Sequence, residues 1–268
     1  MLFPPEPETL LREASGLGIL RELLALELER ARGITARAPF RAGAAAGPGP
    51  FETALRAAQL PVIAEFKRAS PSLGPFAAQA DLEERLGSYA RGGAAAFSIL
   101  AEPARFLGRP GDFARAKAFG RPLLYKGFVC TEAHLEEAVE RGAQAVLLIA
   151  RMLGEHLPGF AAAARCRGLE PLVELHEPSE IAQAQMAHPR LLGWNARNLA
   201  DFSVQKAPIA LLREAFPSAL LIRESGLACP EDARAALDQG FDALLIGEAL
   251  MRAPDPAAFL GAIRPGAR

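Results

Sequence analysis

Eight short apolar runs recur along the chain, each followed by a turn signal and then by residues with helical spacing. They lie at 61–66 (PVIAEF), 94–100 (AAAFSIL), 122–126 (PLLYK), 145–149 (AVLLI), 171–174 (PLVE), 191–194 (LLGW), 219–224 (ALLIRE) and 243–246 (ALLI). Runs that are apolar on both faces suit strands of a parallel sheet covered on both sides. They begin roughly 20 to 35 residues apart, the length of a strand plus a crossover helix. The segments between them carry helix signals. Residues 131–141 (TEAHLEEAVER) open on Thr and acidic residues, which suit a helix N-terminus, and Gly142 ends them. Residues 229–239 (CPEDARAALDQ) have Pro and acids at the start and Gly240 at the end. Eight such units predict an α/β fold, a single closed (β/α)8 TIM barrel. A doubly wound open sheet usually has fewer strands, and no GxGxxG follows the first run.

About 60 residues precede the first run. Residues 16–32 are Leu-rich with helical spacing, 43–50 (GAAAGPGP) read as a linker, and 51–60 as another short helix. The expected organisation is a helical N-terminal extension over 1–60 packed on a catalytic barrel over 61–268. The extension is too short to bury a core of its own.

Composition narrows the classes. The chain has 268 residues, a formal net charge of −1 and 50% hydrophobic residues. Balanced charge with ordinary apolar content excludes disorder and gives no electrostatic case for nucleic acid. No run of about 18 uninterrupted apolar residues offers a membrane span. Cys130, Cys166 and Cys229 are odd in number, widely spaced and without zinc spacing, which leads to the expectation of a reducing, cytoplasmic setting. No His/carboxylate spacing suggests a metal. Residues 1–11 carry acids and prolines, unlike a secretory signal. Only four of the 30 basic residues are lysines: Lys67, Lys117, Lys126 and Lys206.

Barrel chemistry sits where strands end. The polar residues there are Glu65, Lys67 and Ser70 after strand 1, Lys126 after strand 3, Glu174 and His176 after strand 5, Asn195 and Arg197 after strand 6, and Glu224 and Ser225 after strand 7. Two of the four lysines are in this set. Glu65 and Lys67 share one face of a strand. Lys67, Lys126, Glu65, Glu174 and Glu224 together make a mixed-charge cluster that either binds an anion and moves protons or closes the barrel top as a salt-bridge network. Ser225-Gly226 and Gly247-Glu248 follow strands 7 and 8, where backbone N–H groups suit a phosphate. Phe106, Phe128 and Trp194 either wall a pocket for an aromatic group or pack in the core. His134, His156 and His188 are expected at the surface. His176 could line the mouth, with no nucleophile to pair with.

Residues 63–72 (IAEFKRASPS) closely resemble the first-strand signature of the indole-3-glycerol phosphate synthase family. The likeness continues through SILAE at 98–102, LYKGF at 124–128, AVLLIA at 145–150, LVELHE at 172–177, GWNARNL at 193–199, ESG at 224–226 and IGEALM at 246–251. It spans roughly residues 50 to 260. Phosphoribosylanthranilate isomerase, another phosphate-binding barrel, would call for a Cys/Asp pair at the mouth, and no Cys lies at the end of strand 1. A non-catalytic paralogue would be favoured by loss of Lys126 or Glu174, and both are present.

The resemblance implies ring closure of 1-(2-carboxyphenylamino)-1-deoxyribulose 5-phosphate to indole-3-glycerol phosphate, carbon dioxide and water, without a cofactor. The partner it implies is a small phosphorylated aromatic substrate, not a nucleic acid or a membrane. A monomer is the expected state, with an oligomer left open. It implies Lys126 as general acid, Glu174 as general base, Lys67 on the substrate's anionic groups with Glu65 beside it, and Asn195 and Arg197 on hydroxyls and carboxylate. Glu224 and Ser225 would complete the polar wall. Ser70, Gly226, Gly247 and Glu248 would lie along the substrate and its phosphate, and Phe106, Phe128 and Leu148 would wall the aryl ring. A lysine among cations in a dry site is expected to have a lowered pKa. The chain departs from the family pattern at Gly127, where Asp is usual, at Ala196, where Asn is usual, and at Arg223, where Ser is usual.

Overall fold

The eight runs form eight parallel strands, β1 (Val62–Phe66), β2 (Ala96–Leu100), β3 (Leu123–Lys126), β4 (Ala145–Ile149), β5 (Glu170–Leu175), β6 (Leu191–Asn195), β7 (Leu220–Glu224) and β8 (Ala243–Ile246). They pair in sequence order, and β8 closes back on β1 with Val62 opposite Leu244 and Ala64 opposite Ile246. This is a (β/α)8 barrel, as the apolar rhythm predicts. The computed structural model describes residues 7–13, 18–34, 47–71, 73–197 and 203–264. Predicted features that fall partly outside these residues include the start of the 16–32 helical stretch, the start of the 43–50 linker, Ser72, and the end of the 193–199 motif.

Among the described residues, thirteen α-helices accompany the strands. Three precede the barrel, α1 (Pro7–Glu13), α2 (Ile19–Ala31) and α3 (Pro50–Ala57). The others are α4 (Leu82–Gly92), α5 (Pro110–Lys117), α6 (Glu132–Glu140), α7 (Ala150–Leu153), α8 (Leu157–Cys166), α9 (Ile181–Met186), α10 (Ile209–Ala215), α11 (Pro230–Asp238), α12 (Glu248–Arg252) and α13 (Pro256–Ile263). Asp81 caps α4 through Glu84 N–H at 2.8 Å, and Asp255 caps α13 through Ala258 N–H at 3.0 Å.

Strand side chains alternate between the barrel interior and the layer under the helices. On β4 the alternation places Leu147 and Ile149 on the interior cavity. Leu148, expected on the substrate wall, is fully buried but does not line that cavity. The period-2 pleat turns it toward the helices.

The N-terminal helices meet opposite ends of the barrel. α3 sits where the strands begin: the Glu170 carboxylate, at the start of β5, accepts from Phe51 N–H and Glu52 N–H at 2.6 and 2.8 Å. Those are the helix-end donors without intrahelical partners. α2 reaches the other end, where Ile19, Leu20 and Leu23 line the mouth cavity. A buried polar seam ties α2 to β3 and α6. Arg30 donates to both Glu137 oxygens at 2.8 and 2.9 Å and to the Tyr125 hydroxyl at 3.1 Å, and that hydroxyl donates to Glu137 at 2.5 Å.

Two of the three histidines expected at the surface are buried. His134 is completely enclosed, with Nε2 2.9 Å from the buried Glu27 carboxylate of α2. His156 is 5% exposed, 3.4 Å from Glu13 of α1. Helical spacing predicted solvent because it could not register a second helix laid over α6 and the β4–α8 connection. His188 is exposed, as expected.

Candidate active site

The strand-end residues converge on one cavity of about 650 Å³ at the C-terminal mouth of the barrel. Glu65, Lys67, Ser70, Phe106, Lys126, Phe128, Glu174, Asn195, Arg197, Glu224, Ser225, Gly226, Gly247 and Glu248 all line it. Leu148, expected on the substrate wall, does not.

Lys126 lies at its centre. Its Nζ is 2.6 Å from Glu224 Oε2 and 3.0 Å from Glu174 Oε2. Lys67 Nζ is 3.0 Å from Glu65 Oε1, and Glu65 Oε2 accepts from Ser98 Oγ at 3.2 Å. These groups come from β1, β2, β3, β5 and β7, so no local stretch of sequence contains the pattern.

The surroundings set the charges. Burial works against the ammonium form of Lys126, but Glu174, Glu224 and Glu65 overcome it and raise its pKa far above the usual lysine value. The lowered pKa expected from the sequence is therefore corrected. The immediate neighbours are carboxylates, not cations, and opposite charges favour the ionised form. Burial likewise opposes ionisation of Glu65, yet Lys67 and Lys126 hold it below the ordinary carboxylate range. Glu174 and Glu224 divide: burial and the negative charge of Glu174 push Glu224 up, while Lys126 and His176 outweigh burial and hold Glu174 down. These opposite directions are those of a pair that shares one proton, since two neighbouring buried carboxylates resist ionising together.

Two glycines make room for this cluster. A Cβ on Gly193 of β6 would collide with Glu224 Oε1, and one on Gly247 after β8 would collide with Glu65 Oε1. The rim after β7 turns through two left-handed residues, Ser225 (φ 63°) and Gly226 (φ 70°). Asn195 Oδ1 accepts from Ser225 Oγ at 2.7 Å and from Arg197 N–H at 3.1 Å, which fixes this rim to the end of β6. Glu248 turns its carboxylate to Arg252 at 3.2 Å and Arg197 at 3.7 Å.

The opposite wall is apolar. Phe106 and Phe128 stand with ring centroids 5.7 Å apart, joined by Leu20, Leu23, Leu100 and Ile149. Trp194 is core packing and lines no part of the cavity. The three departures from the family pattern also have positions. Gly127 lines the cavity, and a Cβ there would meet the Tyr125 ring at 2.7 Å. Ala196 is buried outside the cavity, and the Arg223 guanidinium lies 5.9 Å from the Phe241 ring centroid.

Sequence reasoning left out α2, Arg252 and the partner of His176. Leu20 and Leu23 are three apart on one helix face, and Arg252 is one turn beyond Glu248; only those spacings marked them. Elsewhere the fold brings together Glu13, Glu155 and His156, a grouping no local spacing announced. None of the three lines the cavity.

Comparison with known proteins identifies relatives of the whole barrel. A family model described as indole-3-glycerol phosphate synthase matches residues 25–263. An indole-3-glycerol phosphate synthase of Deinococcus radiodurans is 42% identical over 233 residues, covering 83% of this chain and 84% of that protein. Indole-3-glycerol phosphate synthase 2 of Streptomyces coelicolor is 40% identical over 247 residues, covering 89% and 96%. The same-named Lactiplantibacillus plantarum protein is 39% identical over 221 residues, covering 81% and 85%. Among solved structures, a thiamine phosphate pyrophosphorylase from Pyrococcus furiosus superposes with a TM-score of 0.56 at 16% identity, covering 78% of this chain and 96% of that one. At that identity the likeness is one of fold.

Proposed function

The chain belongs to the indole-3-glycerol phosphate synthase family, and from that premise we propose how its barrel mouth performs the reaction. The activity is that of a carboxy-lyase of tryptophan biosynthesis. It closes the pyrrole ring of 1-(2-carboxyphenylamino)-1-deoxyribulose 5-phosphate and releases carbon dioxide and water.

The aryl ring lies against Phe106 and Phe128, on the apolar wall of the cavity. Lys67 pairs with the substrate's anionic groups, and Ser70 lies along the substrate. The phosphate takes backbone N–H groups of Gly226, Gly247 and Glu248, with Ser225 beside them. Arg197 and Asn195 orient the carboxylate and hydroxyls.

Ring closure turns the carbonyl oxygen into an alkoxide. Lys126 is the nearest firmly protonated group at the centre of the cluster and gives that oxygen a proton. Loss of carbon dioxide then returns the bonding pair to the aryl ring and restores its aromaticity; Lys126, recharged with a proton from solvent, protonates the hydroxyl, which leaves as water, and removal of a ring proton completes the indole. Glu174, held ionised by Lys126 and His176, accepts that proton. Glu224, which keeps the pair's proton, and Glu65 hold Lys126 in place.

The observation that carries this reading is Lys126 Nζ held between Glu174 and Glu224 at the floor of a cavity with one apolar and one polar wall. Purified protein given the substrate should produce rising indole fluorescence, and Lys126→Ala should abolish it while circular dichroism stays unchanged. Turnover that survives the substitution rejects the role of Lys126. A monomer in a reducing cytoplasm completes the proposal; three unpaired cysteines support the reducing setting.

A further inference from the structure

His176 lies two residues beyond Glu174, on the same interior face at the end of β5, and is 4% exposed. Its Nε2 is 3.3 Å from Glu174 Oε1, the oxygen that Lys126 does not hold. Neither ring nitrogen makes a hydrogen bond of good geometry among the described residues, and Glu174 Oε1 is the acceptor that faces Nε2. The ring is therefore buried against one acceptor only.

Its backbone is fixed independently. His176 N–H donates to Glu180 Oε2 at 2.9 Å, and Arg151 of α7 lies 3.0 Å from Glu180 Oε1 and 2.6 Å from Glu177 Oε1. The turn after β5 is thus latched to the turn after β4, and the imidazole is presented to Glu174 from a rigid base.

We propose that His176 is a positioning residue for the reaction: a neutral imidazole whose Nε2–H holds Glu174 Oε1, so that Oε2 stays on Lys126 and the carboxylate remains ionised and aimed at the cavity. The proposal rests on the role given above to Glu174. The charged groups around the ring are Glu174 on β5, Lys126 on β3, Arg151 on α7 and Glu177 in the following turn, with Glu180 on the residue's own backbone N–H. Burial, Arg151 and Lys126 all disfavour a second proton on it and lower its pKa, which outweighs the opposing effect of Glu174 and Glu177. A neutral imidazole has one donor, and the geometry assigns that donor to Nε2.

Two variants and one spectroscopic measurement test this. His176→Leu keeps the volume and removes the donor. We expect kcat about tenfold lower with KM nearly unchanged, because the lost contact serves a proton acceptor and not substrate binding. The acidic limb of the kcat–pH profile should move up by about half a pH unit, since Glu174 loses a group that stabilises its charged form. His176→Gln, which keeps an N–H at similar reach, should recover most of both effects. The chain has four histidines, so ¹⁵N-imidazole spectra are assignable by comparison with the variants. They should show His176 neutral, with its proton on Nε2, below the ordinary histidine pKa of about 6.5.

An unchanged pH profile in the Leu variant, or equal losses in Leu and Gln, overturns the proposal. So does a ring that titrates like a solvent-exposed histidine. If the wild type forms no indole-3-glycerol phosphate, the catalytic reading fails, while the ring spectra still decide the His176–Glu174 contact.

Discussion

Gly193 on β6 faces the carboxylate of Glu224 on β7 so closely that no side chain fits between them. Gly193→Ala should therefore push Glu224 off Lys126 or open the β6–β7 pair. We expect a loss of about 1–3 kcal/mol of stability, the usual cost of overpacking a filled interior, together with a larger fractional loss of kcat. Urea denaturation and the indole assay measure the two. Wild-type values for both would mean that the Glu224 carboxylate is free to sit elsewhere.

Lys126→Arg separates charge from proton transfer. Arginine can satisfy Glu174 and Glu224 electrostatically, but it does not give up a proton in the accessible pH range. The variant should fold with near-native stability and lose kcat by about 10²–10⁴, the range general acid catalysis supplies. A kcat within a few-fold of wild type would show that Lys126 acts by charge alone.

The pH dependence of stability reports the carboxylate pair. In the folded protein Glu224 is pushed up to about 8 by burial and by Glu174. A raised folded pKa means that the native state holds a proton the unfolded chain has released. Its stabilising effect is full below about pH 4.5 and is lost as pH rises toward 8. Glu224→Gln carries that proton permanently as an amide. The wild type should lose stability relative to Glu224→Gln between pH 5 and about 8, as read from urea midpoints across that window. Parallel curves would refute the retained proton.

Beneath the loop after β1, Arg68 donates to both oxygens of Asp112 at 2.5 and 2.9 Å. Both side chains are 2% exposed, and the guanidinium lies 4.7 Å from the Phe66 ring centroid. Breaking one side of a buried pair strands the other charge. Asp112→Ala should cost about 3–5 kcal/mol. It should also raise KM, because Arg68 anchors the segment between Lys67 and Ser70. A stability change below about 1 kcal/mol would place the pair among those that surface-type screening makes weak.

The N-terminal helix α2 is part of the site. Arg30→Ala removes the contacts to Glu137 and Tyr125 that tie α2 to β3. It should raise KM more than it lowers kcat, since Leu20 and Leu23 wall the cavity with apolar side chains that carry no exchangeable proton. Steady-state kinetics distinguish the two parameters, and a kcat effect with unchanged KM would contradict this.

The barrel was legible because each strand is short, apolar on both faces and bounded by turn residues. The predicted runs match the observed strands to within two residues at either end. The strand-end residues were legible for a related reason. Once the strands are placed, barrel topology alone collects Lys126, Glu174 and Glu224 at one mouth, although 98 positions separate the first from the last.

Other features depended on distances that no one-dimensional pattern contains. Leu148 sits in an apolar run where every residue is buried, so composition could not say which side faced the cavity; the pleat decided in favour of Leu147 and Ile149. His134 has helical spacing typical of a surface, and only the overlay of α2 with its Glu27 carboxylate encloses it. The charge state of Lys126 is the sharpest case. Sequence determined that a lysine ends β3 among other titratable strand-end groups. Tertiary structure decided that its contacts are carboxylates at 2.6 and 3.0 Å, with Lys67 turned instead to Glu65. A pKa follows the few groups nearest in space, so it could be fixed only when the closed barrel brought five strands to one point.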